Sequence, residues 1–351
     1  MDKKFNANLL ILAWFYNNKR ELPWRKTKDP YKIWLSEIIL QQTRVDQGKA
    51  YYERFVANFP TVKDLAFADE IEVLKLWQGL GYYSRARNLH FTAKTIVNDY
   101  NSVFPYTFSE LKKLKGIGDY TAAAISSICF NEAVPAVDGN MFRVFSRYYG
   151  IYDDIALAKT KNVFFSLGLE VIDSKNPGDY NQAIMDLGAT ICTPKNYQCN
   201  LCPLNNSCFA LQRNVQDQLP IKSKKIKIRE RFFHFILIKS RSEFLITKRI
   251  SNDVWRNLYT LPLIESKDKN LDSENLNQLS ISNKELVFLY DEKHILSHQR
   301  LYISFWELII DHEQFKEIAQ NHDLEIVTKN QLETYPLPKP IEKFMNFNKF
   351  V

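Results

Sequence analysis

No apolar run in the 351-residue chain reaches the roughly 18 positions that a membrane helix requires, so a spanning segment is not expected. The N-terminal MDKKFNANLLILAWFYNNKR carries a short apolar stretch, but Asn and Lys flank it and no small-residue cleavage site follows. It reads as an amphipathic helix and not a signal peptide, which points to the cytoplasm. Cysteine is scarce: of five, four fall between positions 192 and 208, too clustered for a secreted disulfide framework. There is no internal repeat and no long low-complexity segment. The most polar stretch, residues 266–285, reads as a loop with a short helix.

What is present describes a globular protein of two to three domains, with 45% hydrophobic and 25% charged residues. A net charge of +7 suits a polyanionic partner without requiring one. Up to about residue 190 apolar side chains return every three to four positions, as in PYKIWLSEIILQQTRVDQGKAYYERFVANF and NQAIMDLGATIC, so this half is expected to be all-helical. The pattern lapses between Arg213 and Arg231, where KSKKIKIRER (222–231) has six basic residues in ten. That run reads as an exposed linker, solvated or following DNA. Strand-like runs then appear, RFFHFILIKS, EFLITKRI and LYISFWELII, before the closing helical segments KNQLETY and PIEKFMNF. A second, mixed domain is therefore expected from about residue 230.

Three motifs carry chemistry. Cys192, Cys199, Cys202 and Cys208 are spaced C-x6-C-x2-C-x5-C and can close around one metal centre; the spacing alone does not choose between structural zinc and a 4Fe–4S cluster. Cys129, in AAAISSICF, reads as an ordinary buried cysteine. In LKGIGDYTAAAI (114–125), Gly116 and Gly118 are expected to adopt conformations a Cβ would forbid, turning free N–H groups of the next helix toward a phosphate. In VPAVDGNMFRVFSR, Asp138 precedes a helix, where a carboxylate is either an N-cap or a reacting group.

Hairpin, Asp138 and cysteine cluster, in that order, resemble the endonuclease III superfamily of helix-hairpin-helix DNA glycosylases, whose fold is two helical subdomains around a catalytic cleft with an iron–sulfur loop near the end. LPWRKTKDPYKIWLSEIILQQTRV (22–45) resembles the catalytic segment of the MutY family of adenine DNA glycosylases, and the resemblance extends over residues 5 to about 215. It implies that Glu37 is the general acid, that Asp138 stabilises the oxocarbenium-like sugar, and that Arg25, Tyr120, Asn140 and Gln182 line the base pocket. Tyr82 is implied as a wedge in the base stack, and Gln42, Thr43 and Leu80 as neighbours of the opposing base. Lyase members of the superfamily carry a lysine where this chain has Tyr120. Tyrosine cannot form a Schiff base, so a monofunctional enzyme is implied.

The four cysteines would then hold one 4Fe–4S cluster, and the partner would be duplex DNA containing adenine opposite 8-oxoguanine or guanine. Many members have a C-terminal domain similar to Nudix hydrolases. Residues 232–351 fit an α+β domain of that kind, but the G-x5-E…R-E-x-x-E-E box is missing, so nucleotide hydrolysis is not expected. In ILSHQRLYISF, Ser297 and His298 match the family's recognition pair, and Leu296 stands where phenylalanine is common. The expected organisation is thus an all-α helix-hairpin-helix domain over 1–215, with hairpin 114–125 and cluster loop 192–208, a basic linker over 216–231, and a Nudix-like domain over 232–351. A monomer associated with the nucleoid is implied. Two other readings stay open: an endonuclease III-like glycosylase with lyase activity on oxidised pyrimidines, and a non-catalytic iron–sulfur DNA-binding protein.

Overall fold

The apolar periodicity of the first half resolves into helices α1 (Lys3–Asn18), α2 (Pro30–Leu40), α3 (Val45–Asn58), α4 (Val62–Phe67), α5 (Glu70–Trp77), α6 (Ser84–Asp99), α7 (Phe108–Leu111), α8 (Asp119–Phe130), α9 (Gly139–Tyr149), α10 (Ala158–Val171), α11 (Pro177–Thr190) and α12 (Phe209–Arg213). The structure, a computed structural model, describes residues 3–223, 228–271, 276, 279 and 286–347. Residues 224–227 of the basic run and most of 272–285, including the short helix expected there, lie outside the described residues. One compact unit comprises Met1–Phe67 and Asn88–Lys224; the other comprises Ala68–Arg87 and Lys225–Val351. The segment Ala68–Arg87, read from sequence as part of the helical domain, thus groups with the C-terminal half.

In the first unit, α9 spaces Met141, Val144, Phe145 and Tyr148 along one stripe, and they close on Ile11, Leu12 and Phe15 of α1 and on Tyr180, Ile184 and Leu187 of α11. Each large side chain buried in this way contributes roughly 1.5–3 kcal/mol. Cys192, Cys202 and Cys208 pack against the same cluster, so the cysteine loop is anchored to the core.

The second unit is built on strands β1 (Arg229–Ser240), β2 (Glu243–Lys248), β3 (Tyr259–Thr260), β4 (Leu263–Ser266), β5 (Val287–Ile295), β6 (Gln299–Ile309) and β7 (Glu325–Thr328), which form a mixed sheet in the order β3-β2-β1-β6-β5, with β4 beside β1 and β7 beside β2. Strand β1 (Arg229–Ser240) runs parallel to β6 (Gln299–Ile309) in unbroken register from Arg229↔Gln299 to Lys239↔Ile309. Strand β5 (Val287–Ile295) returns antiparallel along β6. Both faces of β1 are covered: Phe233, Phe235 and Leu237 meet Ile341, Phe344 and Met345 of the final helix, whereas Ile236 and Ile238 meet Phe315, Ile318 and Ala319 of helix His312–Asn321. Burial on both faces explains why FFHFILI is a near-continuous apolar run without strand alternation. Lys75 Nζ donates to Tyr335 O at 3.1 Å, Gln78 Oε1 accepts from Leu337 N at 3.1 Å, and Glu70 Oε1 accepts from Asn257 Nδ2 at 2.7 Å. These bonds tie Ala68–Arg87 into the unit.

Candidate active site

Helix α2 starts where Asp29 accepts the Tyr31 N–H at 2.9 Å and Pro30 takes the first helical position, a conformation its ring already favours. It is buried almost all round, and Glu37 is only 9% exposed among Trp34, Ile38 and Ile39. Tyr120, in the first turn of α8, donates its hydroxyl to Glu37 Oε2 at 2.7 Å and lies 3.5 Å from Met185 Sδ. Burial pushes the Glu37 carboxyl up to about 7; the bond from Tyr120 and the charge of Arg25 oppose the shift, and the nearby Asp138 charge adds to it. Tyr120 keeps its proton well above the usual phenol range, again chiefly through burial.

Asp138 is the N-cap that the sequence allowed, and it also faces the cavity. It caps α9, with Oδ1 accepting from Met141 N at 2.8 Å, and it lines the same cavity as Glu37. Its Oδ2 accepts from Asn140 Nδ2 at 2.7 Å. Burial raises its carboxyl, but the N–H donors of Met141 and Asn140 and the charge of Arg143 pull it back, and this donor set suits a carboxylate. Arg143 Nη2 in turn donates to Asn140 Oδ1 at 2.7 Å, while its Nε donates to Cys192 O at 2.6 Å, linking the Asp138 neighbourhood to the cysteine loop.

The cavity between these carboxyls, about 360 Å³, lies within the first unit and is also lined by Arg25, Gln42, Thr43, Tyr120, Asn140 and Gln182. Gln42 takes a left-handed φ of 61° just after α2, so the chain turns there and brings both polar residues to the wall. Arg25 is forked onto Asp186 (Nη1–Oδ2 2.6 Å, Nη2–Oδ1 2.8 Å), which Arg20 also contacts. Burial drives the Asp186 carboxyl upward, but the two guanidiniums outweigh it and leave it below the usual carboxylate range. Sequence reading missed Arg20, Arg143, Met185 and Asp186; nothing in their local pattern marked them.

Leu80 and Tyr82 line a second cavity of about 630 Å³, wholly within the second unit, together with Ser297 and His298. Tyr82 is 46% exposed at a left-handed φ of 48°, whereas Leu80 is buried. Trp255 and His294, with ring centroids 5.8 Å apart, also face this cavity and were not anticipated. Leu296 packs, half-buried, against the Phe-rich core.

The hairpin expectation needs one correction. Gly116 has φ 81°, and a Cβ there would come within 2.7 Å of Asn88 Cβ, so glycine is required. Gly118 has φ −88° and ψ 179°, open to any residue, with nothing within 4 Å of a built Cβ. What its missing side chain leaves is open space beside the first turn of α8. A second correction concerns Arg231, read with the exposed basic linker: it is 5% exposed and paired with Asp253 and Glu265.

Cys192, Cys199, Cys202 and Cys208 are half-buried thiols in one loop, and burial pushes the thiols of Cys199, Cys202 and Cys208 up. Arg147 Nη1 lies 3.4 Å from Cys192 Sγ. Among the described residues no group of three or more His, Cys, Asp or Glu side chains is arranged to hold a metal ion. The donor set is nevertheless four soft sulfur ligands on one short, core-anchored loop, which suits a thiolate centre. No helix of the described residues is long and apolar enough to cross a membrane.

Residues 35–166 match the HhH-GPD superfamily of base excision DNA repair proteins, and residues 233–347 match the NUDIX domain. Together they define a helix-hairpin-helix base-excision enzyme with a Nudix-like second half. An adenine DNA glycosylase of Buchnera aphidicola subsp. Schizaphis graminum is 37% identical over 345 residues, which cover 97% of this chain and 98% of the relative. The human adenine DNA glycosylase is 41% identical over 60% of this chain and 40% of its own length. Among solved structures, a thermostable thymine-DNA glycosylase superposes with a TM-score of 0.56 at 28% identity, over 60% of this chain and 97% of its own. A non-covalent endonuclease III–DNA complex shares the fold, with a TM-score of 0.53 at 21% identity over 62% of this chain and 99% of that one. The chain belongs to the adenine DNA glycosylase family, DNA-repair hydrolases that act on N-glycosyl bonds.

Proposed function

We propose that the protein removes adenine mispaired with 8-oxoguanine or guanine in duplex DNA, by hydrolysing the N-glycosidic bond without cutting the strand. The observation that carries this reading is the 2.7 Å bond from Tyr120 to a Glu37 carboxyl whose pKa lies near 7, across one cavity from Asp138. Adenine is a poor leaving group until N7 is protonated. Glu37 holds a proton near neutral pH, and Tyr120 fixes the carboxyl that donates it. As the C1′–N9 bond stretches, the sugar becomes cationic, and the Asp138 carboxylate stabilises that charge. Water then adds to C1′ and its proton passes to the Glu37 carboxylate, restoring the acid and leaving free adenine and an abasic site.

The base reaches this cavity only by leaving the stack, at a cost of a few kcal/mol. Arg25, Asn140 and Gln182 receive it, Gln42 and Thr43 with Leu80 border the opposing base, and Tyr82 wedges into the stack. The hairpin binds a backbone phosphate, with the open space at Gly118 admitting the anion. Residue 120 offers no amine, so no Schiff base forms there. Ser297 and His298 read the oxidised edge of 8-oxoguanine. Residues 1–215 thus supply catalysis and 232–351 much of the preference for 8-oxoguanine, in a cytoplasmic, nucleoid-associated monomer.

Cys192, Cys199, Cys202 and Cys208 would hold one 4Fe–4S cluster, which supplies a rigid cross-link of the loop when bound. Cys199→Ser is expected to lose iron and duplex affinity together; stoichiometric zinc in place of iron would reject the cluster. The overall reading is tested by single-turnover kinetics on a duplex with one adenine opposite 8-oxoguanine. Release of adenine with the strand intact until alkali is expected. Borohydride trapping of the protein on DNA through residue 120 would refute the monofunctional reading.

A further inference from the structure

We infer that Gln299 and Arg231 are positioning residues that set the tautomer of His298 and thereby leave the Ser297 hydroxyl hydrogen free to meet the oxidised base. The inference rests on the recognition role proposed above for Ser297 and His298, and it follows from counting donors and acceptors. Arg231 has five N–H donors and no acceptor. Nε and one Nη2 hydrogen go to Glu265 (2.7 and 2.6 Å), and the other Nη2 hydrogen and one on Nη1 go to Asp253 (2.6 and 2.7 Å). The remaining Nη1 hydrogen goes to Gln299 Oε1 at 3.2 Å.

With its carbonyl claimed by a group that can only donate, the Gln299 amide has one orientation. Rotating it would set –NH2 against guanidinium and leave an Arg231 hydrogen buried without an acceptor, since Arg231 and Gln299 are both buried. Gln299 Nε2, a donor, therefore faces His298 Nε2 at 3.1 Å, and that ring nitrogen must present its lone pair. In the neutral ring the hydrogen then sits on Nδ1, which donates to Ser297 Oγ at 3.1 Å. Ser297, already accepting one bond, keeps its own hydrogen and one lone pair for a ligand. That pair of functions is complementary to the adjoining O8 acceptor and N7–H donor of 8-oxoguanine, whereas at those two positions guanine offers an N7 acceptor and a C8–H.

The backbone holds the relay in place. Leu296 N donates to Gln299 O at 2.9 Å, closing the turn with Ser297 and His298 at its tip, and Arg229 N donates to His298 O at 3.1 Å. All of these residues belong to the second unit.

The test pairs a spectroscopic readout with a kinetic one, both on the full-length protein. Two-bond 1H–15N correlations of histidine-labelled protein, with His298→Ala assigning the ring, report which nitrogen carries the hydrogen. Nδ1–H is expected in the native chain and Nε2–H in Gln299→Glu, whose carboxylate accepts where the amide donated. Gln299→Leu, which cannot bond to the ring at all, should give a mixture of the two and is a second variant should the first fold poorly. In the Nε2–H tautomer the Ser297 hydroxyl turns toward Nδ1 and loses its bond to O8. Gln299→Glu should therefore slow single-turnover excision opposite 8-oxoguanine about three- to tenfold, the worth of one neutral hydrogen bond. It should slow Ser297→Ala no further, because the relay acts through that hydroxyl. A native Nε2–H ring, or an equal Gln299→Glu effect with and without Ser297, overturns the proposal. If Ser297→Ala alone leaves the rate unchanged, the recognition reading itself fails and the relay's role falls with it, whichever tautomer is found.

Discussion

The two cavities differ in how they treat water. In the first, Glu37 and Asp138 are surrounded by apolar side chains and N–H donors, and both carboxyls are displaced upward by burial. In the second, Ser297, His298 and Tyr82 are exposed, and what is buried is the scaffold behind them, Arg231 and Gln299. The difference follows from the tasks proposed for each. Proton transfer to a base requires a carboxyl that keeps its proton near neutrality, which desolvation provides. Reading a base edge requires groups that are accessible and already oriented, which a buried support provides without burying the readers.

The sharpest way to break this comparison is at the carboxyls. Glu37→Gln and Asp138→Asn should each retain mismatch binding while adenine release falls about 10²- to 10⁴-fold. Single-turnover rates within tenfold of the parent would remove that residue from the chemistry.

The next effect is thermodynamic. A carboxyl raised from 4.5 to about 7 in the folded state favours folding while it is protonated, so its contribution is full below about pH 4.5 and is lost as the pH rises through about 7. Denaturation across pH 4.5–8 should show the parent losing on the order of 3 kcal/mol relative to Glu37→Gln. Parallel stability curves would mean that Glu37 is not desolvated as described. Activity should fall over the same upper limb.

Smaller still is the readout. Replacing Ser297 and His298 together by alanine should lower the preference for 8-oxoguanine over guanine about tenfold to a hundredfold, judged from the ratio of efficiencies on the two mispairs. An unchanged ratio would remove Ser297 and His298 from recognition.

The smallest contrast is inside the hairpin. Gly116→Ala should destabilise the fold by about 1 kcal/mol or more, through left-handed strain and the clash with Asn88. Gly118→Ala should stay within about 0.5 kcal/mol of the parent and weaken duplex binding instead. Thermal melts and binding isotherms on the two variants separate these roles.

The sequence made α2, the hairpin, Asp138 and the cysteine loop legible because each is local: a proline start, two glycines, a capping carboxylate, four close thiols. Strand β1 was legible for the same reason, as a continuous apolar run. Strand β5 was not, because it forms the sheet edge with most of its side chains exposed and carries no alternation to read. Arg231 was misplaced because its neighbours Lys222, Lys224, Lys225 and Lys227 are basic, and only long-range pairing with Asp253 and Glu265 takes it into the interior. The grouping of Ala68–Arg87 with the second unit depends on Lys75 and Gln78 finding main-chain partners 260 and 259 residues further on, which no local pattern records.

That last feature bears on biosynthesis. The second unit is discontinuous in the chain, and Gln78 leaves the ribosome 259 residues before Leu337. At about 5–20 residues per second, the polar and aromatic groups of Ala68–Arg87 wait roughly 10–50 s for the strands and helices that cover them. A fragment ending at Lys224 would contain the whole first unit and, stranded within it, a piece of the second whose partners are never made.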